Sequence, residues 1–358
     1  MTMIKWFLLS ALAAALAVPF IRPVVAGEFA DVLDTPAQPS ELAARSMFTG
    51  LARAGERLIA VGQRGHIVYS DDAGGHWQQA QVPVSSDLVA VHFPSPSQGW
   101  AVGHDGVVLH SSDAGETWRR QFDGREVGPT LLAYYQKQAA TRPDDEVLAT
   151  RLIEARRMAD EGADKPFLDV WFENDHVGYI VGAFNLIFRT DDGGLTWMPW
   201  LDRTDNPSAL NLYALRPVGN QLFIVGEQGL VLKLDPAVER FHAIPTPYNG
   251  TYFGITGKPG AVLVFGLRGN AYRSVDGGGS WSKVDLGLPA SITASTVTVD
   301  GRMVLLSQAG HVLVSVDDGV SFKLQSQSGL APVAGALVSG TGSLVLAGAR
   351  GLRQLPLE

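Results

Sequence analysis

The chain has 358 residues and no cysteine. That absence excludes a disulfide framework, a thiol nucleophile and a thiolate-ligated metal. There is no tract of Lys and Arg, and the net charge is −8, so binding to nucleic acid by phosphate neutralisation is disfavoured. No H-E-x-x-H, G-x-S-x-G, Walker or dinucleotide fingerprint occurs. The eight His residues are scattered, with none paired at metal-ligand spacing; neither a metal nor a cofactor is expected. Beyond the N-terminus no stretch is apolar enough to span a bilayer.

That N-terminus reads as an address. Lys5 gives a short positive region, Trp6 to Val18 is almost unbroken apolar sequence, and Val24-Val25-Ala26 offers small residues for cleavage after Ala26. Residues 1–26 are therefore expected to be a signal peptide, cleaved or retained as an anchor, and residues 27–358 a single exported domain. Forty Gly and twenty Pro, spread rather than clustered, favour short strands joined by turns.

What the chain does have is repetition. Ser111-Ser112-Asp113-Ala114-Gly115-Glu116-Thr117-Trp118 is one of five copies of an Asp-containing turn; the others are Ser70 to Trp77, Thr190 to Trp197, Ser274 to Trp281 and Ser315 to Phe322. In each, the Asp (Asp72, Asp113, Asp192, Asp276, Asp317) can accept bonds from N–H groups just ahead. The Gly two residues on can take positive φ, and Trp77, Trp118, Trp197, Trp281 or Phe322 supplies an apolar body. Calcium at these aspartates is the weaker reading, because each turn offers one carboxylate.

A second motif, apolar-apolar-Val-Gly-x-x-Gly, precedes each turn. Its first Gly falls at 62, 103, 182, 226, 266 and 348, with Ser307 in the same place: Gly62 to Gly103 is 41 residues, and Gly103 to Gly182 is 79. Four short antiparallel strands per period of about 40 residues is the β-propeller repeat. The expected fold is all-β, a seven-bladed β-propeller with blades at 49–81, 87–123, 167–202, 210–245, 251–286, 292–325 and 331–357. The last unit holds only three strands, so Glu28 to Thr35 is expected to supply the fourth and close the ring. The doubled interval is assigned to a helical-hairpin insert, 124–166, between blades 2 and 3. Thr141-Arg142-Pro143-Asp144 looks like a helix start, Leu148, Leu152, Ala155 and Ala159 follow at helical spacing, and Leu131, Leu132, Tyr135 and Ala139 suggest a shorter helix before it. Blade 4 keeps an Asp and an aromatic between Leu234 and Phe241 but lacks the Gly, which marks the Asp turn as structural.

The Asp turns resemble the Asp-box, or BNR, repeat of sialidases, where the box is a structural turn. The three-arginine clamp and Tyr nucleophile of those enzymes are not found; Phe20-Ile21-Arg22-Pro23 only faintly resembles their arginine motif and lies in the expected signal. A sialidase-like glycosidase or a glycan-binding propeller is kept as the alternative. The Val-Gly-x-x-Gly turn joined to S-x-D-G-G-x-T-W, seen at Thr190 to Trp197 and Gly266 to Trp281, is similar to the photosystem II stability/assembly factor-like family of exported BNR propellers. That resemblance covers the mature chain apart from the insert. It implies a non-enzymatic platform that helps a membrane-associated protein complex assemble or operate, with a protein partner and a periplasmic address, or the thylakoid lumen in a photosynthetic host. In a non-photosynthetic bacterium an accessory to a transporter fits as well. Photosynthetic members use an arginine-rich patch. Here Arg64, Arg268 and Arg350 occupy the equivalent turn position, and Asp105, Phe184, Gln228 and Ala309 stand there in the other blades. In a four-stranded meander that turn shares a face with the insert, so the expected partner surface is Arg64, Arg268 and Arg350 with the insert's apolar stripe, Tyr135, Leu148 and Leu152.

Overall fold

The computed structural model describes residues 30–325, 331–340 and 342–357. The expected signal, its cleavage after Ala26 and the arginine motif inside it lie outside the described residues. The fold is all-β and propeller-like: seven antiparallel sheets in chain order, six of four strands and one of three. Sheet 1 runs Phe48–Ala54, Arg57–Gly62, Ile67–Ser70 and Gln78–Gln79. Sheet 2 runs Leu88–His92, Gly99–Gly103, Val108–Ser111 and Arg119–Phe122. Sheet 3 is Phe167–Phe172, Gly178–Gly182, Ile187–Thr190 and Met198–Pro199, and sheet 4 is Leu212–Val218, Gln221–Gly226, Val231–Asp235 and Arg240–Ala243. Sheet 5 comprises Tyr252–Lys258, Ala261–Gly266, Ala271–Ser274 and Ser282–Val284. Sheet 6 comprises Ile292–Val297, Met303–Ser307, Val312–Ser315 and Lys323–Gln325, and sheet 7 Val333–Val338, Leu344–Gly348 and Gly351–Leu355.

The first strands contact one another in cyclic order, and Phe48–Ala54 of sheet 1 meets Val333–Val338 of sheet 7. The apolar second strands are buried between neighbouring sheets: Ile59 and Val61, Val102, Ile180 and Val181, Ile224, Val264 and Leu306 are each 0% exposed. The central channel, about 400 Å³, is lined by first strands of all seven sheets.

The seam between sheets 1 and 7 differs from expectation. Glu28 and Phe29 are not described, but Asp31 to Thr35 is a turn, not a strand of sheet 7. Asp31 dictates this. The Asp31 carboxylate accepts the Leu33 N–H at 2.9 Å, and the Asp31 carbonyl accepts the Thr35 hydroxyl at 2.8 Å, a local wiring that competes with any ladder. Leu33, 1% exposed, plugs the core between sheets 1 and 2, which is worth about 1.5–3 kcal/mol. Closure is instead by side chains: the Arg53 guanidinium donates to the Val338 carbonyl, and Phe48, Ala60 and Val68 of sheet 1 pack with Ala347 and Leu352 of sheet 7.

Two helices lie between the last strand of sheet 2 and the first of sheet 3: α1 (Gly124–Thr141) and α2 (Glu146–Glu161). The first is the longer, 18 residues against 16, and it ends on Thr141, the first of the residues expected to begin the second. Pro143 lies just past its end, and α2 starts at Glu146, two residues past Asp144. The Asp145 carboxylate caps α2, accepting the Val147 and Leu148 N–H groups at 3.0 and 3.1 Å. Arg157 and Glu161 form the expected pair at 3.6 Å. The helices cross closely where a Cβ on Gly128 would fall 2.3 Å from the Cα of Ala159.

Candidate partner-binding face

The ring presents two faces built from different turns. All five Asp turns are wired alike. In sheet 2 the Ser111 hydroxyl donates to Asp113 Oδ1 at 2.8 Å while accepting the Gly115 N–H at 2.9 Å. Asp113 Oδ1 accepts the Thr117 N–H at 3.0 Å, and Oδ2 accepts the Thr117 hydroxyl at 2.5 Å. The same set recurs around Asp192, Asp276 and Asp317, and around Asp72 with the His76 ring in place of the hydroxyl. The Gly expected at positive φ is there (Gly115, φ 85°), and so is the residue before it (Ala114, φ 59°). Both carboxylate oxygens are engaged, and among the described residues no cluster of acidic or His side chains could hold a metal.

These bonds show in the acidities. The Ser321 hydroxyl, then the Ser321 N–H and the Ser315 hydroxyl, lower Asp317 from 3.8 to about 2. Asp72 is depressed further by the His76 N–H and ring, and Asp276 by the Ser280 and Ser274 hydroxyls. At Asp113 and Asp192 partial burial pushes upward, and the bonds from Thr117 and Thr196 outweigh it.

The turns also bind sheet to sheet, which reading each motif by itself missed. Arg57 of sheet 1 donates to the Ala114 carbonyl at 3.3 Å and pairs with Glu116 at 3.0 Å in the sheet 2 turn. Gln121 of sheet 2 reaches the Gly193 carbonyl at 3.0 Å, Lys233 of sheet 4 the Gly277 carbonyl at 3.1 Å, and Arg273 of sheet 5 the Asp318 carbonyl at 2.6 Å. Gln354 of sheet 7 donates to the Ala73 carbonyl at 2.7 Å. Where sheet 4 has lost the Gly, an ion pair substitutes: Arg189 of sheet 3 meets Glu239 at 3.1 Å. The aromatics pack beneath, Trp118 edge-on to Phe93 at 5.9 Å and Trp197 edge-on to Phe172 at 6.0 Å.

The opposite face carries the Val-Gly-x-x-Gly turns. A Cβ on Gly62 would fall 2.1 Å from the Met47 carbonyl oxygen, and one on Gly65 (φ 70°) 2.1 Å from that of Val84, so both must be Gly. Between them Arg64 sits at φ 56°, as do its equivalents Asp105, Phe184, Gln228 and Arg268 within a few degrees. A side chain from the next sheet fixes the N–H of several: Asp87 for Arg64 at 2.8 Å, Asn211 for Phe184 at 2.8 Å and Ser291 for Arg268 at 3.2 Å. The backbone is pinned while the side chains project. Arg64, Arg268 and Arg350 are exposed, and none forms an ion pair with a described residue. Phe184, 54% exposed in the same turn of sheet 3, adds an aromatic that counting arginines overlooked. Gly106 of sheet 2 packs against Gly124 at the start of α1, so the helical pair lies on this face.

The insert's apolar stripe is turned the other way. Tyr135 and Leu148 are 2% and 4% exposed within the core shared with Phe188, Trp200 and Leu201, and Leu152 packs against the same cluster. The Tyr135 hydroxyl donates to Asp202 at 3.1 Å. Expecting these three to meet a partner is therefore corrected: an amphipathic helix hides its apolar face against whatever is nearest, and here that is the ring. The insert's base is held by charge instead. Asp123, N-cap of α1, pairs with Arg120 and Arg125, and both arginines reach Asp34 of the N-terminal turn at 3.1 and 2.8 Å, lowering Asp34 to about 2, Arg125 contributing most.

The channel holds one departure from the repeat. Just past the bulge of each first strand stand Gly50, Ala90, Ala214, Gly254, Ala294 and Gly335, but Asp169 in sheet 3. Its carboxylate is raised by burial against the pull of Arg216, whose guanidinium it accepts together with the Leu215 N–H at 2.7 Å. Nearby, burial and then the Arg216 charge lower His92 to about 3; it stays neutral, and Nδ1 accepts the Phe172 N–H at 3.1 Å. A lone Asp where six repeats carry Gly or Ala was the available signal. His66 bonds Ser46 at 3.0 Å and the Gln38 backbone, and His311 bonds Ser307 at 2.9 Å.

A family model described as "Photosynthesis system II assembly factor YCF48" matches residues 50–130 and 153–327. Among curated proteins, the photosystem II assembly lipoprotein Ycf48 of Synechococcus sp. (strain CC9902) is 28% identical over 159 residues, 42% of this chain and 46% of that protein. The chloroplastic photosystem II stability/assembly factor HCF136 of Cyanidioschyzon merolae is 33% identical over 98 residues, 27% of this chain and 22% of that one. The matches thus span less than half the length of these relatives. Among solved structures, YCF48 bound to D1 peptide superposes with a TM-score of 0.65 at 14% identity, covering 88% of this chain and 94% of that one. Streptogramin B lyase superposes with a TM-score of 0.66 at 16% identity, covering 90% and 97%; at such identities the likeness is one of fold.

Proposed function

Because this chain belongs to the family described as Photosynthesis system II assembly factor YCF48, we propose that it is an exported, non-enzymatic scaffold that binds a protein of a membrane-associated complex and assists its assembly or operation. We take the seven sheets as seven blades and the helical pair as an insert between blades 2 and 3. The observation that carries the reading is the contrast between the faces: Arg64, Arg268 and Phe184 project unpaired from pinned turns of one face, whereas the Asp turns spend their polar groups within the ring. Arginine and an exposed aromatic on rigid backbone suit a protein interface. That a YCF48 of the same fold has been solved bound to D1 peptide supports a polypeptide as the ligand class. The Synechococcus relative is a lipoprotein; with no cysteine, this chain offers no thiol for a lipid.

A glycosidase of sialidase type needs three arginines converging on one carboxylate, and Arg216, already paired with Asp169, is the one arginine among the described channel residues. Affinity capture from detergent-solubilised envelope tests the reading. The unaltered chain should retain a membrane protein, and the R64E/R268E/F184A variant, folded by circular dichroism, should lose it. Equal capture by the variant removes this face from the proposal, and glycan turnover by the unaltered chain removes the proposal itself.

A further inference from the structure

The third strand of sheet 7, Gly351–Leu355, pairs with Leu344–Gly348 along one edge. Along the other no strand pairs with it among the described residues. The other sheets carry a fourth strand there, of two to four residues. An unpaired edge is a template for another chain. The nearest N-terminal residues, Ala43–Arg45, form a 3-10 turn that abuts the strand at Gly351, where a Cβ would fall 2.8 Å from the Arg45 Cα. The strand itself is already framed. The Gln354 amide holds sheet 1 at the Ala73 carbonyl, 2.7 Å away, and the Gln325 amide of sheet 6 holds the Pro356 carbonyl at 3.2 Å. The surroundings are cationic in a chain of net charge −8. Arg353 on the strand, Arg350 before it and Arg45 beside it are all exposed, and none forms an ion pair with a described residue.

We propose that this edge takes an extended acidic peptide of a partner protein as the missing fourth strand, with its backbone on Gly351–Leu355 and its carboxylates toward Arg353, Arg350 and Arg45. In such strand addition main-chain bonds supply affinity and side-chain charge supplies selection, and a slot framed beforehand lowers the ordering cost of binding. The inference stands on the edge itself, independently of the membrane-complex reading and of the turns bearing Arg64 and Arg268.

The experiment is amide hydrogen exchange on the purified chain with a synthetic, end-blocked peptide of alternating glutamate and valine. Two controls accompany it, one with lysine for glutamate and one with alternate amides N-methylated. Slowed exchange confined to residues 351–355, saturable with the acidic peptide and absent with both controls, is the expected result. Arg353→Glu should weaken binding about tenfold, as inverting a close interfacial charge pair does. Arg353→Gln, which keeps a long polar side chain, serves if the reversal fails to fold and should also weaken binding. Protection on other strands, or equal binding of the N-methylated peptide, overturns the proposal. So do edge amides already protected in the free monomer, which would place the chain's own residues in the slot, and protection that grows with dimer mass, which would place a second copy there.

Discussion

The two faces of this ring solve the same problem, a tight turn between short strands, with opposite use of side chains. On the Asp-turn face the side chains are the turn: Asp113 and Ser111 bond the backbone ahead of them, and Arg57 of the preceding sheet bonds that backbone in turn. On the other face the backbone and its glycines are the turn, with Asn185 for the second glycine in sheet 3, and the residue before that position varies: Arg64, Asp105, Phe184, Gln228 and Arg268. A surface whose side chains hold the scaffold cannot be remodelled cheaply. One whose side chains are released by the scaffold can be, and function is expected to collect there.

Substitutions break this comparison in order of expected size. Trp118→Ala, beneath an Asp turn and 6% exposed, should destabilise by about 3–5 kcal/mol, read from the urea midpoint. Gly62→Ala, on the opposite face, should cost about 1–3 kcal/mol through backbone overlap with Met47; a neutral result would mean that this face's backbone is not pinned. Thr117→Val removes the hydroxyl bond to Asp113 and should cost about 0.5–1.5 kcal/mol. Arg64→Ala should stay within about 0.5 kcal/mol of the unaltered chain, although it stands in the same kind of turn.

Acidity separates the faces in another way. A carboxylate held below its usual 3.8, as Asp317 is at about 2, adds stability that is full above about pH 4 and lost as the pH falls toward 2. Asp72 and Asp276, depressed further, extend that loss to lower pH. Thermal unfolding scanned across it should show the midpoint falling with pH, and Asp317→Asn should flatten that fall. A profile unchanged by Asp317→Asn would mean that the turn carboxylate does not stabilise the fold through its charged form.

The repeat was legible because its signals are local: Gly62 and Gly65, or Asp113 and Trp118, report a turn within eight residues. What escaped reading depends on partners far along the chain. Asp31 and Asp34 form a turn rather than a strand partly because Arg120 and Arg125, some ninety residues on, wait for Asp34. The stripe of Tyr135 and Leu148 was visible as a stripe, but periodicity does not say whether sheet 3 or another protein lies against it. The fasteners Gln121, Lys233 and Gln354 have no motif, since each is defined by a carbonyl in the neighbouring sheet. Phe184 was visible at its turn position, yet it stood out only once its exposure was known.

The absence of cysteine makes the central claim directly testable, because any introduced thiol is the only one in the chain. Phe184→Cys on the open face and Leu195→Cys in an Asp turn, where Leu195 is 73% exposed, would each carry a photoactivatable cross-linker in intact envelope. An adduct with a membrane protein from position 184 and none from position 195 is the predicted result. An adduct from position 195 alone would contradict the assignment of function to the open face.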